Sequence, residues 1–229
     1  MMNCSPEPIT VVLVALYRYQ NFPIRILHSL LEKIEGVEPH TIFFKNHYTN
    51  AIKIPTAKEE ALFRAKIVEL QPKMVGFSIY SPYVPVAGRL TKIVKENSSA
   101  PVMWGGIHPT LSPESCLEQC DIVCMGEGEG ALKDLVQALR DGQEYESIDN
   151  LWVKQNGRII QNPMRPLIQD LDSVPFPAYA RDSFYFIDSN IIGREDAAVS
   201  DPILAVMPAR GCPFTCSYCV NSLLRPLYQ

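Results

Sequence analysis

The sequence Thr10-Val11-Val12-Leu13-Val14-Ala15-Leu16-Tyr17 is an almost continuous apolar run of strand length. Such a run is typical of a strand that is buried on both faces, as in a parallel sheet with helices on both sides. Four shorter apolar runs follow it, at His40–Phe44, Met74–Ile79, Val102–Trp104 and Asp121–Met125. The pattern predicts five parallel strands.

Amphipathic segments separate these runs and predict the helices that connect such strands. The segment from about Pro23 to Ile34 carries apolar side chains at helical spacing. Thr56 with Glu59 has the pattern of a capping box, which predicts that another helix begins there. The alternation predicts a doubly wound, five-stranded, Rossmann-like (flavodoxin-like) α/β domain over residues 1–141.

The rest of the chain has a different pattern. Asn156-Gly157 lies between two short apolar segments and predicts a β-hairpin. Residues 163–202 contain several prolines and little periodicity, so residues 142–202 are predicted to be a hairpin followed by an ordered linker. A new strand is predicted over Ile203–Met207, at the start of a last region, residues 203–229.

Composition excludes some classes of protein. Of the 229 residues, 47% are hydrophobic and 20% charged, which is typical of a folded globular protein. The formal net charge is −4 and no basic run occurs, so nucleic acid is not an expected partner. We expect no signal peptide and no membrane span, because the apolar runs are only of strand length, and a cytoplasmic protein is the default.

The seven cysteines fall into two sets. Cys4, Cys116, Cys120 and Cys124 are scattered, and the last three are interpreted as core thiols. The second set is spaced C-x3-C-x2-C, after the last predicted strand. Three thiolates at this spacing can hold three irons of one 4Fe-4S cluster and leave the fourth iron open. The alternatives are a zinc knuckle with a distant fourth ligand, or three unpaired thiols. The second set consists of Cys212, Cys216 and Cys219.

Small and polar residues follow four of the predicted strands, where an open α/β sheet binds its ligands. Glycines there let the backbone approach a bulky cofactor. No G-x-G-x-x-G pattern occurs, so dinucleotide binding gains no support. The alternatives are ordinary turn chemistry for the glycines and serine, and a helix-capping role for Glu127 and Glu129.

Two sets of motifs resemble known families. The cysteine spacing, with Tyr218 before the last cysteine and Arg210-Gly211-Cys212-Pro213 leading in, is similar to the radical S-adenosylmethionine (SAM) superfamily. The motif from Trp104-Gly105-Gly106 to Pro109-Thr110, with Gly126-Glu127-Gly128-Glu129 downstream, resembles the amino-terminal domain of cobalamin-binding radical SAM proteins. The resemblance covers essentially the whole chain and implies that residues 203–229 begin a (β/α) radical SAM barrel.

The resemblance also implies a set of binding residues. The three cysteines of the second set would hold a 4Fe-4S cluster whose open iron binds SAM, with Tyr218 beside it. The D-x-H-x-x-G motif that gives a histidine to cobalt in other cobalamin domains is absent, which leaves His108 as a contact or, alternatively, as an ordinary turn histidine. The implied cobalamin residues are Tyr17, Ser78, Tyr80, Gly105, Gly106, His108, Gly126, Glu127 and Gly128.

The implied activity is that of an enzyme. The cluster would cleave SAM to a 5′-deoxyadenosyl radical, and methylcobalamin would deliver a methyl group to an unactivated carbon of a small-molecule or peptide substrate. An external electron donor would reduce the cluster. The alternative is a non-catalytic cobalamin-binding module, because a complete barrel needs roughly 200 residues and only Ile203–Gln229 are present. We therefore expect a truncated chain that is inactive alone.

Overall fold

The computed structural model describes residues 8–46, 52–200, 206–207 and 209–228. Its strands are β1 (Ile9–Leu16), β2 (Val37–Phe44), β3 (Met74–Ser78), β4 (Val102–Gly105), β5 (Ile122–Cys124), β6 (Leu151–Gln155), β7 (Arg158–Gln161), β8 (Phe184–Asp188) and β9 (Ile191–Gly193). Its α-helices are α1 (Phe22–Leu31), α2 (Ala57–Leu70), α3 (Val84–Asn97), α4 (Ile107–Leu111), α5 (Pro113–Leu117), α6 (Glu129–Asp141), α7 (Ala197–Ser200) and α8 (Asn221–Leu224).

The first five strands form the predicted parallel sheet. Their order is β2-β1-β3-β4-β5, which is the flavodoxin-like arrangement, and every pair among them is parallel. Alternate residues of β1 enter two separate cores. Val12 and Val14 pack in the core that contains Phe63 of α2, whereas Leu13 packs with Leu132 of α6 on the other face. The doubly wound prediction is confirmed.

Four further strands extend this sheet to nine in the described part of the chain. The predicted hairpin is confirmed as β6 and β7, which add antiparallel to β5. Asn156 and Gly157 have φ angles of 50° and 76°, and positive φ at both turn residues matches the twist of the two strands.

The region predicted to be a linker contains two of these added strands. β8 pairs parallel with β2, and β9 pairs antiparallel with β8. The linker prediction is therefore wrong for residues 184–193. This stretch does not wrap between domains but belongs to the sheet, because Phe184–Ile187 pair with β2 and their apolar side chains are buried. The strand predicted over Ile203–Met207 falls largely on residues outside the described ranges.

Several local predictions also agree with the structure. Thr56 and Glu59 form a reciprocal capping box at the start of α2. Cys116, Cys120 and Cys124 are buried, as expected of core thiols.

In the described part of the chain, no helix is both long and apolar enough to cross a membrane.

A buried arginine joins helix α1 to the segment around β8 and β9. Arg25 is fully buried, and its guanidinium forms a two-pronged ion pair with Asp196, with N–O distances of 2.7 and 2.8 Å. It also donates to the carbonyl oxygens of Tyr19 and Ala178. Because the partners lie 171 residues apart, this one side chain fixes the residues after β9 against the first helix.

We expect Asp196→Asn to destabilise the protein by about 3–5 kcal/mol, because it leaves the Arg25 charge buried without its partner. Urea denaturation at neutral pH measures the change. Glu96→Gln is the control, since Glu96 pairs with Lys92 at 3.8 Å on the exposed surface, and its effect should stay within about 0.5 kcal/mol. Equal effects of the two variants would contradict the role given to Arg25.

The same pair predicts a dependence on pH. Burial alone raises the pKa of Asp196, but the hydrogen bonds and charge of Arg25, with backbone N–H donors, outweigh it and lower the pKa in the folded state. The stabilisation is therefore complete above the ordinary aspartate pKa of about 3.9 and is lost as the pH falls through the lower folded value. The difference in unfolding free energy between wild type and Asp196→Asn should shrink below about pH 4.

Candidate functional site

A half-enclosed cavity of about 370 Å³ lies where the parallel strands β3, β4 and β5 end. Its floor is largely apolar and extends along the sheet beneath α1, with side chains that include Leu13, Ile24 and Met103. Its rim consists of loop residues at the carboxyl ends of the strands. Seven residues predicted to bind cobalamin line it: Ser78, Tyr80, Gly105, Gly106, Gly126, Glu127 and Gly128.

Glycines keep the cavity open. A Cβ atom built on Gly105 would lie 3.6 Å from its nearest neighbour, Cys124 Cβ, which is an ordinary contact distance. The backbone therefore tolerates a side chain at this position, and that side chain would take up space at the cavity that Gly105 lines. Gly106 differs, because its φ is +106° and a Cβ atom would come within 2.9 Å of the Ile79 carbonyl oxygen. Gly106 is therefore required by the backbone, whereas the absence of a side chain at Gly105 creates space.

Hydrogen bonds fix the three loops of the rim to one another. The Ile79 amide donates to the Gly105 carbonyl oxygen at 2.8 Å, which joins the ends of β3 and β4. The Thr110 hydroxyl donates to the Gly106 carbonyl oxygen at 2.8 Å and accepts from the Gly126 amide at 3.0 Å, which joins the ends of β4 and β5. The cavity is thus held in shape by the protein alone. Thr110 was not among the predicted binding residues.

Two of the predicted cobalamin residues do not line the cavity. Tyr17 is fully buried, stacks on Tyr83 with ring centroids 4.8 Å apart, and donates its hydroxyl to the Lys53 carbonyl oxygen. Burial is the main cause that raises the pKa of Tyr17 to about 12. His108 lies in α4, and its Nδ1 is 3.0 Å from the Ser81 hydroxyl. These contacts give Tyr17 a packing role, and they place His108 against a serine side chain of the loop after β3.

The second wall of the cavity comes from the carboxyl-terminal part of the chain. Met207, Arg210, Leu224 and Tyr228 line the same cavity as the rim glycines. Arg210 also bridges two carboxylates of the rim, because its Nη1 donates to Glu127 Oε1 at 2.8 Å and its Nη2 to Glu129 Oε1 at 2.5 Å. No local pattern in the sequence indicates this bridge, because the partners are 83 and 81 residues apart.

The three clustered cysteines lie on the loop that follows Arg210. Cys212 and Cys216 are exposed and Cys219 is partly exposed, and all three are free thiols. Tyr218 is also exposed. In the part of the chain that the structure describes, no three histidine, cysteine or acidic side chains converge into a metal-binding group. The donor set nevertheless suits a metal cluster, because three accessible thiols lie within eight residues.

Cys124 provides a contrast with these three thiols. It lines the cavity but is almost completely buried, and burial raises its pKa to about 12. A thiol with that pKa stays protonated near neutral pH and is a poor metal ligand. This agrees with the prediction that Cys124 belongs to the core.

Comparison with known proteins identifies the domain. Residues 8–136 match the family model of the B12 binding domain. The chain is 36% identical over 165 residues to an uncharacterized methyltransferase of Pyrococcus horikoshii, covering 69% of this chain and 34% of that protein. It is 30% identical over 166 residues to an anaerobic magnesium-protoporphyrin IX monomethyl ester cyclase of Rubrivivax gelatinosus, covering 68% of this chain and 28% of the cyclase.

Solved structures show the same fold. The cobalamin-dependent SAM radical enzyme OxsB, with aqua-cobalamin and SAM bound, superposes with a TM-score of 0.60 at 22% identity, over 75% of this chain and 24% of that one. The radical SAM methyltransferase TsrM from Kitasatospora setae gives a TM-score of 0.56 at 19% identity, over 67% of this chain and 30% of that one.

The chain spans about a third or less of the length of these curated relatives. The matched region holds the parallel sheet β1–β5 and the glycine-lined rim of the cavity. Because the family model covers more than half of the residues, the chain belongs to the B12-binding domain family.

Proposed function

We propose that this chain is the cobalamin-binding part of a radical SAM enzyme and that it binds cobalamin in the cavity at the carboxyl ends of β3, β4 and β5. The observation that carries the proposal is a largely apolar, glycine-rimmed cavity lying mostly within the region that matches the family. The names of the relatives support the same class, since they include methyltransferases and a cyclase.

The lining of the cavity suits different parts of cobalamin. The apolar floor around Leu13, Ile24 and Met103 offers a surface for the aromatic base of the nucleotide tail. Gly105 allows the backbone to approach that tail closely, and Gly106 keeps the adjoining turn in its conformation. The Ser78 hydroxyl at the rim can accept a hydrogen bond from an amide group around the corrin. Among the described residues, no histidine lines the cavity, in keeping with the absence of the D-x-H-x-x-G motif from the sequence.

The cysteine loop would hold the second cofactor. Cys212, Cys216 and Cys219 would ligate three irons, and Tyr218 would contact SAM at the fourth. When bound, the 4Fe-4S cluster supplies the electron that cleaves SAM to a 5′-deoxyadenosyl radical, and cobalamin supplies a methyl group for an unactivated carbon. The protein would hold the two cofactors near each other, because Arg210 and Tyr228, which flank the cysteine loop, line the proposed cobalamin cavity.

The second candidate function is a non-catalytic cobalamin-binding module. The observation that favours it is that the family match ends at residue 136, before the cysteines. The small-molecule or peptide substrate, the external electron donor, the absence of nucleic-acid partners and the cytoplasmic location stay predictions. We propose residues 1–141, 142–202 and 203–229 as functional regions. They are not separate structural units, because the sheet of the first region continues through β9 in the second.

Titration with hydroxocobalamin, followed by its visible spectrum, tests the cavity. We expect Gly105→Leu to weaken binding about tenfold or more, because a side chain placed in a formed cavity costs about 1–3 kcal/mol. Gly193→Leu is the matched control, since Gly193 lies in β9 with open space around it. Gly106 is unsuitable for this test, because any side chain there strains the backbone.

Two results would contradict the assignment. If the wild-type chain leaves the spectrum of hydroxocobalamin unchanged, the chain does not bind cobalamin. If Gly105→Leu and Gly193→Leu bind it equally well, binding takes place outside this cavity.

Anaerobic reconstitution with iron and sulfide tests the cysteine loop separately. We expect Cys216→Ala to lose the broad visible absorbance of the cluster while its affinity for hydroxocobalamin stays within about twofold of wild type, because Cys216 is exposed and does not line the cavity. Cys116→Ala is the control, since burial raises the pKa of that thiol to about 11. Cluster formation that survives Cys216→Ala would refute the ligand assignment.

A further inference from the structure

One ionic contact joins the rim of the cavity to the segment that carries the clustered cysteines. We call residues 209–228 the cysteine segment. Arg210 lies two residues before Cys212, and its guanidinium contacts the carboxylates of Glu127 and Glu129 at 2.8 and 2.5 Å. The side chains are only 24%, 16% and 12% exposed, respectively, so solvent screens this contact less than an ordinary surface ion pair.

The two carboxylates have different surroundings. Glu127 also accepts a hydrogen bond from the Ile168 amide, so it has a second role in holding the chain after β7. Glu129 is the first residue of α6, and the hydrogen bond described for its carboxylate comes from Arg210. Glu129 therefore has a role besides the helix-capping one, because its carboxylate also binds Arg210. Glu129 offers the cleaner variant for a test.

The geometry of the contact needs an arginine. A guanidinium is planar and carries donors on separate nitrogens, so it can bond two carboxylates at once, which the single ammonium of a lysine does less well. One positive charge faces two negative charges, so the rim attracts the guanidinium strongly. Arg210 is thereby held at the cavity, and the loop with Cys212 begins from a fixed point.

We propose that Glu127 and Glu129 are positioning residues, which hold the cysteine segment against the mouth of the cavity through Arg210. The contact fixes the residue two positions before Cys212 at the cavity, and Leu224 and Tyr228 of the same segment line the cavity as well. That this position matters for catalysis rests on the proposed function. The contact itself is a property of the chain without cofactors.

Hydrogen–deuterium exchange of the cofactor-free chain, resolved by mass spectrometry, tests the contact. We expect Glu129→Gln to speed exchange in residues 209–228 about tenfold, because a charge-assisted hydrogen bond of a partly buried group contributes about 1.5–3 kcal/mol. Asp134→Asn is the matched control, since Asp134 lies on the same helix and pairs with Arg165 at 2.7 Å, outside the cysteine segment. It should leave exchange in residues 209–228 unchanged.

Two further variants separate positioning through Arg210 from a general loss of structure. Glu129→Asp keeps the carboxylate and should restore most of the protection. In an Arg210→Gln background, adding Glu129→Gln should have no further effect on the segment, because the partner is already gone. Exchange in β1 and β3 should equal that of wild type in every variant, which reports that the sheet is intact.

The proposal is overturned if Glu129→Gln behaves like Asp134→Asn, or if Glu129→Gln and Arg210→Gln act additively on the segment. Both results are obtained without cofactor. If the wild-type chain fails to bind hydroxocobalamin, the proposed function is contradicted. The positioning role of Glu127 and Glu129 is still decided by the exchange experiment alone.

Discussion

Parallel pairing of β1 to β5 is the constraint on which the site depends. In a parallel sheet the chain returns to the same end of the sheet before each new strand begins. The carboxyl ends of all the strands, and the loops that follow them, therefore lie at one common edge. That edge brings together Gly105, Gly126 and the loop after Ser78, which are far apart in the sequence. Hydrogen bonds of Ile79 and Thr110 then join the loops. The cavity therefore follows from the topology, and local contacts only refine its shape.

A second constraint is the buried charge of Arg25. A guanidinium without a partner is too costly to bury, so the chain after β9 must return to α1 and bring Asp196 to it. The aromatic rings of Phe43, Tyr179 and Phe184 surround the same guanidinium. This arrangement makes the region after the hairpin a part of the folded domain, since it contributes two strands and a counter-ion.

Hydrophobic periodicity was enough to predict β1 to β5 and the doubly wound arrangement, because each of these strands and the helices between them carries its own pattern. The capping box at Thr56 and the Asn156-Gly157 turn are equally local. β8 was missed because its run of four apolar residues follows a proline-rich stretch, and its burial depends on β2, about 140 residues earlier. Seven of the nine predicted cobalamin residues line the cavity, but Arg210 was noted only as part of a motif, because its partners are distant carboxylates.

The antiparallel strands at the two ends of the sheet have a consequence for association between copies of the chain. A long parallel strand at an edge would present a regular row of unpaired backbone groups, to which another strand could add. Here the edges are β7, of four residues and beginning at Arg158, and β9, of three residues. Strands this short offer little template for pairing. The hairpin and the β8–β9 pair thus shield the central strands from aggregation through their edges, and they do so away from the carboxyl ends of β3, β4 and β5, where the cavity lies.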